Sequence, residues 1–222
     1  KQMATKYPME NVSELESKEL FNPDNKNIQQ YFFYNDQDGK DSFANFLSYY
    51  KAQPDWKIKD YPTYIVISKK ENGKTLEMYA NKPEAEDQGP DDIQAVFASK
   101  NIKTIVVVHR GHSYHAEKTI GHITNIARIV WMGSCGGYRE VAGVLEKSPK
   151  AHIISTKGTG TMLVNDPLLK MLNEDILSGK NIAWSMFWNK AEKKLGANEN
   201  FSNYVPPDKN LGVNFLKAYN AE

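Results

Sequence analysis

Two stretches of the chain decide its fold. They read IVVVHRGHS at residues 105–113 and IVWMGSCGG at residues 129–137. Each begins with four consecutive apolar residues and ends in a turn that contains glycine. Uninterrupted apolar runs of this length are typical of strands that are buried on both faces of a parallel sheet. If the two strands are neighbours, their polar ends lie at the same edge of the sheet.

The segments on either side alternate between strand-like and helical patterns. Residues 31–34 and 153–154 are apolar runs, whereas apolar residues at helical spacing over 43–50 predict a helix that Asp41 would cap. Residues 81–92 contain proline, glycine and acidic residues, and predict a loop. The alternation predicts an α/β fold of three layers, α/β/α, with a mainly parallel central sheet.

One segment departs from this alternation. Two strand-like runs, 64–67 and 75–79, flank the dipeptide Asn72-Gly73. Asn-Gly between such runs favours the tight turn of a β-hairpin, because both residues tolerate the backbone angles that this turn requires. We therefore expect a hairpin over residues 63–80 inserted in the α/β core.

Three regions are predicted along the chain. Residues 1–27 are polar and predict an N-terminal arm. Residues 28–165 form the α/β core, and residues 166–222 form a C-terminal helical extension packed on it. The pair Asp166-Pro167 predicts the start of that extension, because aspartate caps helices well and proline is favoured at the first helical position.

Composition excludes several classes of function. The 222 residues carry 28 Lys and Arg against 27 Asp and Glu, a net charge of +1, which argues against nucleic-acid binding driven by phosphate attraction and against a polybasic membrane anchor. No apolar run approaches the roughly 20 residues of a membrane-spanning helix. Residues 1–10 lack the apolar core of a targeting segment, so we expect no signal peptide there. A single cysteine excludes a disulfide framework and leaves the compartment open.

Reactive side chains follow both central strands. His112 comes just after the first strand and Cys135 just after the second. Neighbouring strands are about 5 Å apart, so the imidazole and the thiol would emerge within reach of proton transfer. Gly136 and Gly137 lead into a predicted helix, whose free N–H groups would favour the thiolate and hold an oxyanion. The pattern predicts a Cys–His catalytic pair.

The order of these residues separates two kinds of nucleophile site. The sequence around Cys135 also fits the nucleophile elbow G-x-C-x-G, which requires a catalytic histidine further along the chain. The only histidine after Cys135 is His152, which begins a predicted strand and so lies at the opposite edge of the sheet. The candidate base is therefore the upstream His112.

A histidine before a cysteine on adjacent strands resembles the caspase-like cysteine peptidases: caspases, metacaspases, gingipains, legumain and separase. The similarity is closest to the metacaspase pattern, in which one strand is followed by Gly-His and the next by Ser-Cys or Cys-Cys and a glycine turn. Here these motifs are Gly111-His112 and Ser134-Cys135-Gly136-Gly137. They cover residues 104–137, and the strand–helix order of residues 30–156 is compatible with a caspase-like core.

The resemblance implies a role for each matching residue. Cys135 would be the nucleophile and His112 the general base and acid of a cysteine endopeptidase that forms a thioester. The oxyanion hole would use the Cys135 N–H and a backbone N–H beside His112, and the residues lining the site would be Gly111, Ser113, Ser134 and Gly136. Two positions depart from the family pattern: Ser113 replaces a glycine, and Gly133 replaces an acidic residue or glutamine.

Substrate preference is indicated by the loop after the strand predicted at residues 31–34. In the family this loop helps to form the pocket for the residue before the cleaved bond, and here it carries Asp36 and Asp38. Carboxylates in that pocket would favour Lys or Arg by charge pairing. The same acidic stretch hints at a calcium loop, but it lacks the spacing and the terminal glutamate of an EF-hand.

Two alternatives remain open. His109, His112 and His115 recur every three residues and would bind zinc together with Cys135, if an unusual turn brought them together. Otherwise the chain would be a non-catalytic binding module on a caspase-like scaffold. The favoured prediction is a peptidase that acts on a peptide or protein substrate without a cofactor or metal, and with no nucleic-acid partner.

Overall fold

The computed structural model describes residues 12–220. Within this range the strands are β1 (Glu14–Leu15), β2 (Lys26–Phe33), β3 (Lys57–Asp60), β4 (Tyr64–Glu71), β5 (Lys74–Asn81), β6 (Val106–Arg110), β7 (Ile129–Met132), β8 (His152–Thr156), β9 (Ile182–Ala183) and β10 (Tyr204–Val205). The α-helices are α1 (Gln37–Lys51), α2 (Gln88–Ser99), α3 (Ala116–Gly121), α4 (Val141–Lys147), α5 (Met162–Ser178), α6 (Trp184–Leu195) and α7 (Leu211–Asn220).

A mixed, mostly parallel sheet forms the centre of the fold. Its eight strands lie in the order β10-β8-β7-β6-β2-β5-β4-β3. The five strands from β8 to β5 run parallel, whereas β10, β4 and β3 pair antiparallel with their neighbours. The predicted α/β class with a mainly parallel central sheet is confirmed.

Side-chain alternation along the buried strands separates the layers. In β2 and just after it, Tyr31 and Phe33 pack into one hydrophobic cluster, whereas Phe32 and Tyr34 pack into another on the opposite face. Helices α1, α5 and α6 contribute to the first cluster, and α3, α4 and α7 to the second. Apolar residues on both faces of each central strand therefore hold helices on both sides, which is compatible with three α/β/α layers.

The predicted hairpin is present as β4 and β5. Their antiparallel pairing runs from Tyr64 opposite Asn81 to Glu71 opposite Lys74, at the turn. Asn72 and Gly73 form that turn with φ angles of 51° and 74°. Positive φ at both central residues matches the twist of the strands, which explains why Asn-Gly closes this hairpin.

Two helix starts differ from the predictions. Helix α1 starts at Gln37, and its cap is Asp36, whose carboxylate accepts the Gly39 N–H at 2.7 Å, so the prediction of Asp41 as the cap was wrong. Helix α2 starts at Gln88, inside the stretch predicted as a loop. In α2, Gly89 and Pro90 fall in the first turn, where backbone N–H groups need no helical partner.

Helix α5 also begins earlier, at Met162. Its cap is Thr161, whose hydroxyl accepts the Leu163 N–H at 3.3 Å. Pro167 therefore lies inside the helix, and the predicted start at Asp166-Pro167 was wrong. Asp166 is not a cap because its carboxylate accepts hydrogen bonds from the side chains of Arg110, which is buried, and Asn45.

The predicted regions are less separate than their boundaries suggest. Residues 1–11 of the arm lie outside the described residues, but its last part is packed: β1 pairs with β9, and Leu15 and Leu20 are fully buried. The boundary between residues 165 and 166 falls within α5, and β10 joins the main sheet, so the C-terminal region is not only helical. Among residues 12–220 no helix is long and apolar enough to cross a membrane.

A buried ion pair connects the sheet to α5. The Arg110 guanidinium at the end of β6 donates to Asp166, and both side chains are more than nine-tenths buried. Removing one partner of a buried pair leaves an uncompensated charge, which costs several kcal/mol. This pair therefore constrains how α5 packs against the carboxyl end of the sheet.

We expect Asp166→Ala to lower the free energy of unfolding by roughly 3–5 kcal/mol, measured by denaturant titration, because the Arg110 charge loses its partner. Asp175→Ala is the matched control in the same helix. Asp175 pairs with Lys190 at 3.1 Å on the surface, so its loss should cost less than about 1 kcal/mol. Equal effects of the two substitutions would contradict the role assigned to Asp166.

Candidate active site

A cavity of about 330 Å³ lies at the carboxyl ends of the central parallel strands. Four segments form its wall: the start of α1, the end of β6 with the turn after it, the turn after β7, and residues 159–165. The carboxyl edge of a parallel sheet is where α/β folds bind ligands, because the loops there converge around the strand ends.

His112 and Cys135 both line this cavity. Strands β6 and β7 are parallel neighbours with His109 opposite Met132, so each reactive residue comes three positions after a paired residue. Cys135 is exposed, and the His112 side chain keeps 40% of its surface accessible. Both groups can therefore meet a ligand from solvent.

The turn that carries Cys135 is held by its own backbone. Gly136 has a φ of 70°, a left-handed conformation that glycine adopts without strain. Its N–H donates to the Gly158 carbonyl at 2.9 Å, and the Gly137 N–H donates to the Ser134 carbonyl at 3.0 Å. No backbone carbonyl among residues 12–220 accepts the Cys135 N–H. This N–H is therefore available to an oxyanion.

A helix follows Cys135, as the sequence predicts, but its first turn is not α-helical. A short 3₁₀ helix covers Gly137–Glu140, with Gly136 as its N-cap, and continues directly into α4 at Val141. The effect of a helix end falls off within about one turn. Cys135 therefore lies next to the N-terminus of the 3₁₀ helix, and the α-helix begins further along the chain.

The His112 ring has two side-chain neighbours. Its Nε2 lies 3.2 Å from Oδ2 of Asp38, in the first turn of α1. The Tyr114 ring stacks beside it, with 5.2 Å between centroids and 16° between planes. The contact with Asp38 occupies Nε2, so Nδ1 is the ring nitrogen available to a second partner.

The two aspartates predicted to form a substrate pocket have different environments. Asp38 is on the cavity wall together with Asp41, whereas Asp36 is not on that wall. The Asp36 carboxylate caps α1 and lies 3.3 Å from Nε2 of His115. Residues 37–41 are helical, so this stretch is not a calcium loop, and no three His, Cys, Asp or Glu side chains in residues 12–220 are grouped to hold a metal ion.

The histidines of the zinc alternative have different partners. His109 is buried, its Nε2–H donates to the His112 carbonyl at 3.1 Å, and its Nδ1 accepts from the Thr119 hydroxyl at 2.7 Å. The His115 ring stacks on Tyr34, with 4.2 Å between centroids. The three imidazoles therefore do not converge on Cys135.

His152 is far from this cavity. It pairs with Ile129 at the first position of β7, at the opposite end of the strands, and its Nδ1 accepts the Trp184 indole N–H at 2.7 Å. Burial lowers the pKa of His152 to about 3. This placement agrees with the prediction that the downstream histidine is not the base for Cys135.

Four further residues were expected to line the site. Gly111 and Ser134 are on the cavity wall, and the Ser134 hydroxyl is buried without a hydrogen-bond partner among the described residues. Ser113 and Gly136 lie next to the wall but do not line it. Each flanks a predicted catalytic residue in the sequence.

Sequence reasoning missed two other parts of the wall. These are Asp41 and Ser42 from α1 and the segment 159–165, which follows β8 and leads into α5. The carboxyl end of β8, the parallel strand that pairs with β7, was an available signal for the second group. No local pattern pointed to Asn165, whose side chain accepts from the Trp131 indole at 2.8 Å and donates to the Gly133 carbonyl at 3.0 Å.

Burial lowers the pKa of His109 to about 4, below its ordinary value of 6.5. The unfolded chain therefore binds more protons between about pH 6.5 and pH 4, so stability falls as pH decreases through this window, by up to about 3 kcal/mol from this group. His109→Gln cannot bind that proton. We expect its unfolding free energy, measured by denaturant titration at each pH, to fall less steeply over this window; parallel curves for the two proteins would contradict this.

Comparisons of the chain with models of protein families, with curated proteins and with solved structures find no match.

Proposed function

We propose that the protein is a cysteine endopeptidase of the caspase-like type, with Cys135 as nucleophile and His112 as general base and acid. One observation carries this proposal: both side chains line a single solvent-open cavity at the ends of adjacent parallel strands. The order, histidine strand before cysteine strand, is that of the caspase-like peptidases, and the three-layer α/β/α arrangement is compatible with their fold.

The first half of the reaction forms a thioester. The Cys135 thiol transfers its proton to the His112 imidazole, and the sulfur attacks the carbonyl carbon of the peptide bond. The resulting oxyanion accepts hydrogen bonds from the Cys135 N–H and from a backbone N–H beside His112. The C–N bond then breaks, and His112 returns the proton to the leaving amine.

The second half releases the acid. His112 takes a proton from a water molecule, whose oxygen attacks the thioester carbon. The C–S bond breaks, the thiol regains its proton from His112, and the carboxylic acid leaves. Every atom that moves belongs to the substrate, the water, Cys135 or His112, so the cycle requires no cofactor.

The charges of the wall favour a basic substrate side chain. Asp38 and Asp41 contribute carboxylates to it. The wall also includes Arg110, but its positive charge is compensated by Asp166. A cationic side chain in this cavity would therefore be attracted, and an acidic one repelled. This supports cleavage after Lys or Arg.

We expect Cys135→Ala and His112→Ala each to reduce kcat/KM for peptide hydrolysis by roughly 1,000-fold or more, because each removes a group on which both halves of the reaction depend. The assay is release of a fluorophore from a peptide substrate. Circular dichroism and a thermal melt test that each variant remains folded.

His122→Asn is the matched control for loss of an imidazole. His122 packs against Phe32, with 5.2 Å between ring centroids and 35° between planes, and does not line the cavity. We expect it to keep wild-type activity. Full activity in folded Cys135→Ala or His112→Ala would exclude this mechanism, whereas an inactive wild-type protein would favour a binding module.

Asp41→Asn tests the charge preference. With peptides that differ only in the residue before the cleaved bond, we expect wild type to prefer Lys or Arg over Asp or Asn by at least about tenfold in kcat/KM, because a wall carboxylate pairs with the cation. The variant should raise KM for the Lys and Arg peptides more than for a Leu peptide. Equal cleavage after Asp, or cleavage after Asn alone, would reject this preference.

A further inference from the structure

We infer that Asp38 is a positioning residue for His112, so that the reactive unit is Cys135–His112–Asp38 rather than a pair. This inference rests on the proposed function and assigns Asp38 a role other than substrate binding. The observation that leads to it is the 3.2 Å contact between Nε2 of His112 and Oδ2 of Asp38. The two residues come from different elements, the turn after β6 and the first turn of α1.

The start of α1 is fixed on both sides of Asp38. Two residues before it, Asp36 caps the helix through the Gly39 N–H at 2.7 Å. One residue after it, Gly39 packs so closely that an added Cβ would lie 2.1 Å from the Tyr34 carbonyl oxygen. The helix therefore begins directly against the end of β2, and the backbone of Asp38 has little freedom to move away from His112.

The position of Asp38 gives its carboxylate two effects on the proposed chemistry. By accepting the Nε2–H of His112 it favours the tautomer in which Nδ1 is unprotonated and able to take the Cys135 proton. It also stabilises the imidazolium that forms when that proton arrives. Both effects favour the thiolate–imidazolium state of Cys135 and His112.

The expected size of the effect is moderate. The Asp38 side chain is 70% exposed, so solvent weakens its interaction with the imidazolium. Other ionisable groups around His112 are Asp41 on α1, His109 and Arg110 at the end of β6, Cys135 on the turn after β7, and Tyr114 beside the ring. All of these remain in an Asp38 variant, so the change measured belongs to one carboxylate.

The experiment measures the rate of Cys135 alkylation by iodoacetamide against pH, which requires no peptide substrate. We expect Asp38→Asn to slow alkylation at pH 6 about threefold and to move the midpoint of the profile upward by about half a pH unit. Asp38→Glu should restore part of the rate. In assays with a Leu peptide, whose side chain has no charge for the wall to attract, Asp38→Asn should lower kcat and change KM by less than about twofold.

Two controls show whether the effect acts through His112. Asp87→Asn removes a carboxylate of similar exposure that pairs with Lys118, and should leave the profile unchanged. In a His112→Ala background, adding Asp38→Asn should change nothing further. The inference is overturned if the Asp38→Asn profile overlaps wild type, or if the substitution slows alkylation equally without His112.

The outcomes also separate this inference from the proposed function. If wild type cleaves no peptide but the Asp38 effect depends on His112, the three-residue unit stands and the peptidase assignment fails. If peptides are cleaved and the Asp38→Asn profile matches wild type, the peptidase stands and Asp38 is not a positioning residue.

Discussion

The parallel pairing of β6 with β7 is the constraint on which the site depends. Val106 lies opposite Ile129 and His109 opposite Met132, so the two strands end together. A shift of one residue would turn every side chain of one strand to the other face and exchange its contacts between the two hydrophobic clusters. Burial on both faces therefore fixes the register, and the register brings His112 and Cys135 to the same cavity.

Side chains from other elements then fix the turn after β7. The Thr156 hydroxyl, at the end of β8, donates to the Ser134 carbonyl and accepts the Gly137 N–H at 3.3 Å. On the other side, the Asn165 amide from α5 donates to the Gly133 carbonyl at 3.0 Å. A turn held by two packed neighbours places its cysteine reproducibly, which is the condition for a preorganised site.

The parts of the fold predictable from sequence are those with local causes. The apolar runs of β6 and β7 follow from burial on both faces, and the β4–β5 hairpin follows from the backbone preferences of Asn72 and Gly73. The start of α5 was not predictable in this way. Asp166 looks like a cap beside Pro167, but a buried guanidinium distant in the chain recruits its carboxylate.

The candidate site likewise contains residues that local sequence predicts and residues whose roles it does not predict. Cys135 and His112 were recognisable because each lies in the turn that follows an apolar run. The different environments of Asp36 and Asp38 were not, because both belong to one acidic stretch and only the helix start separates them. With α1 beginning at Gln37, Asp36 becomes the cap and Asp38 lies on the cavity wall beside His112. A boundary error of a few residues was enough to give both aspartates the same predicted role.

Burial decides which of the five histidines can act as a base. His109 and His152 are buried, with pKa values lowered to about 4 and about 3, so they stay neutral and serve as hydrogen-bond partners in the core. Burial also lowers the pKa of His122, which packs against a phenylalanine, and His115 is covered by an aromatic ring. His112 alone combines solvent access, a place on the cavity wall and a carboxylate on one ring nitrogen. Those are the requirements for gaining and losing a proton in each cycle, and they arise from packing that no single stretch of sequence encodes.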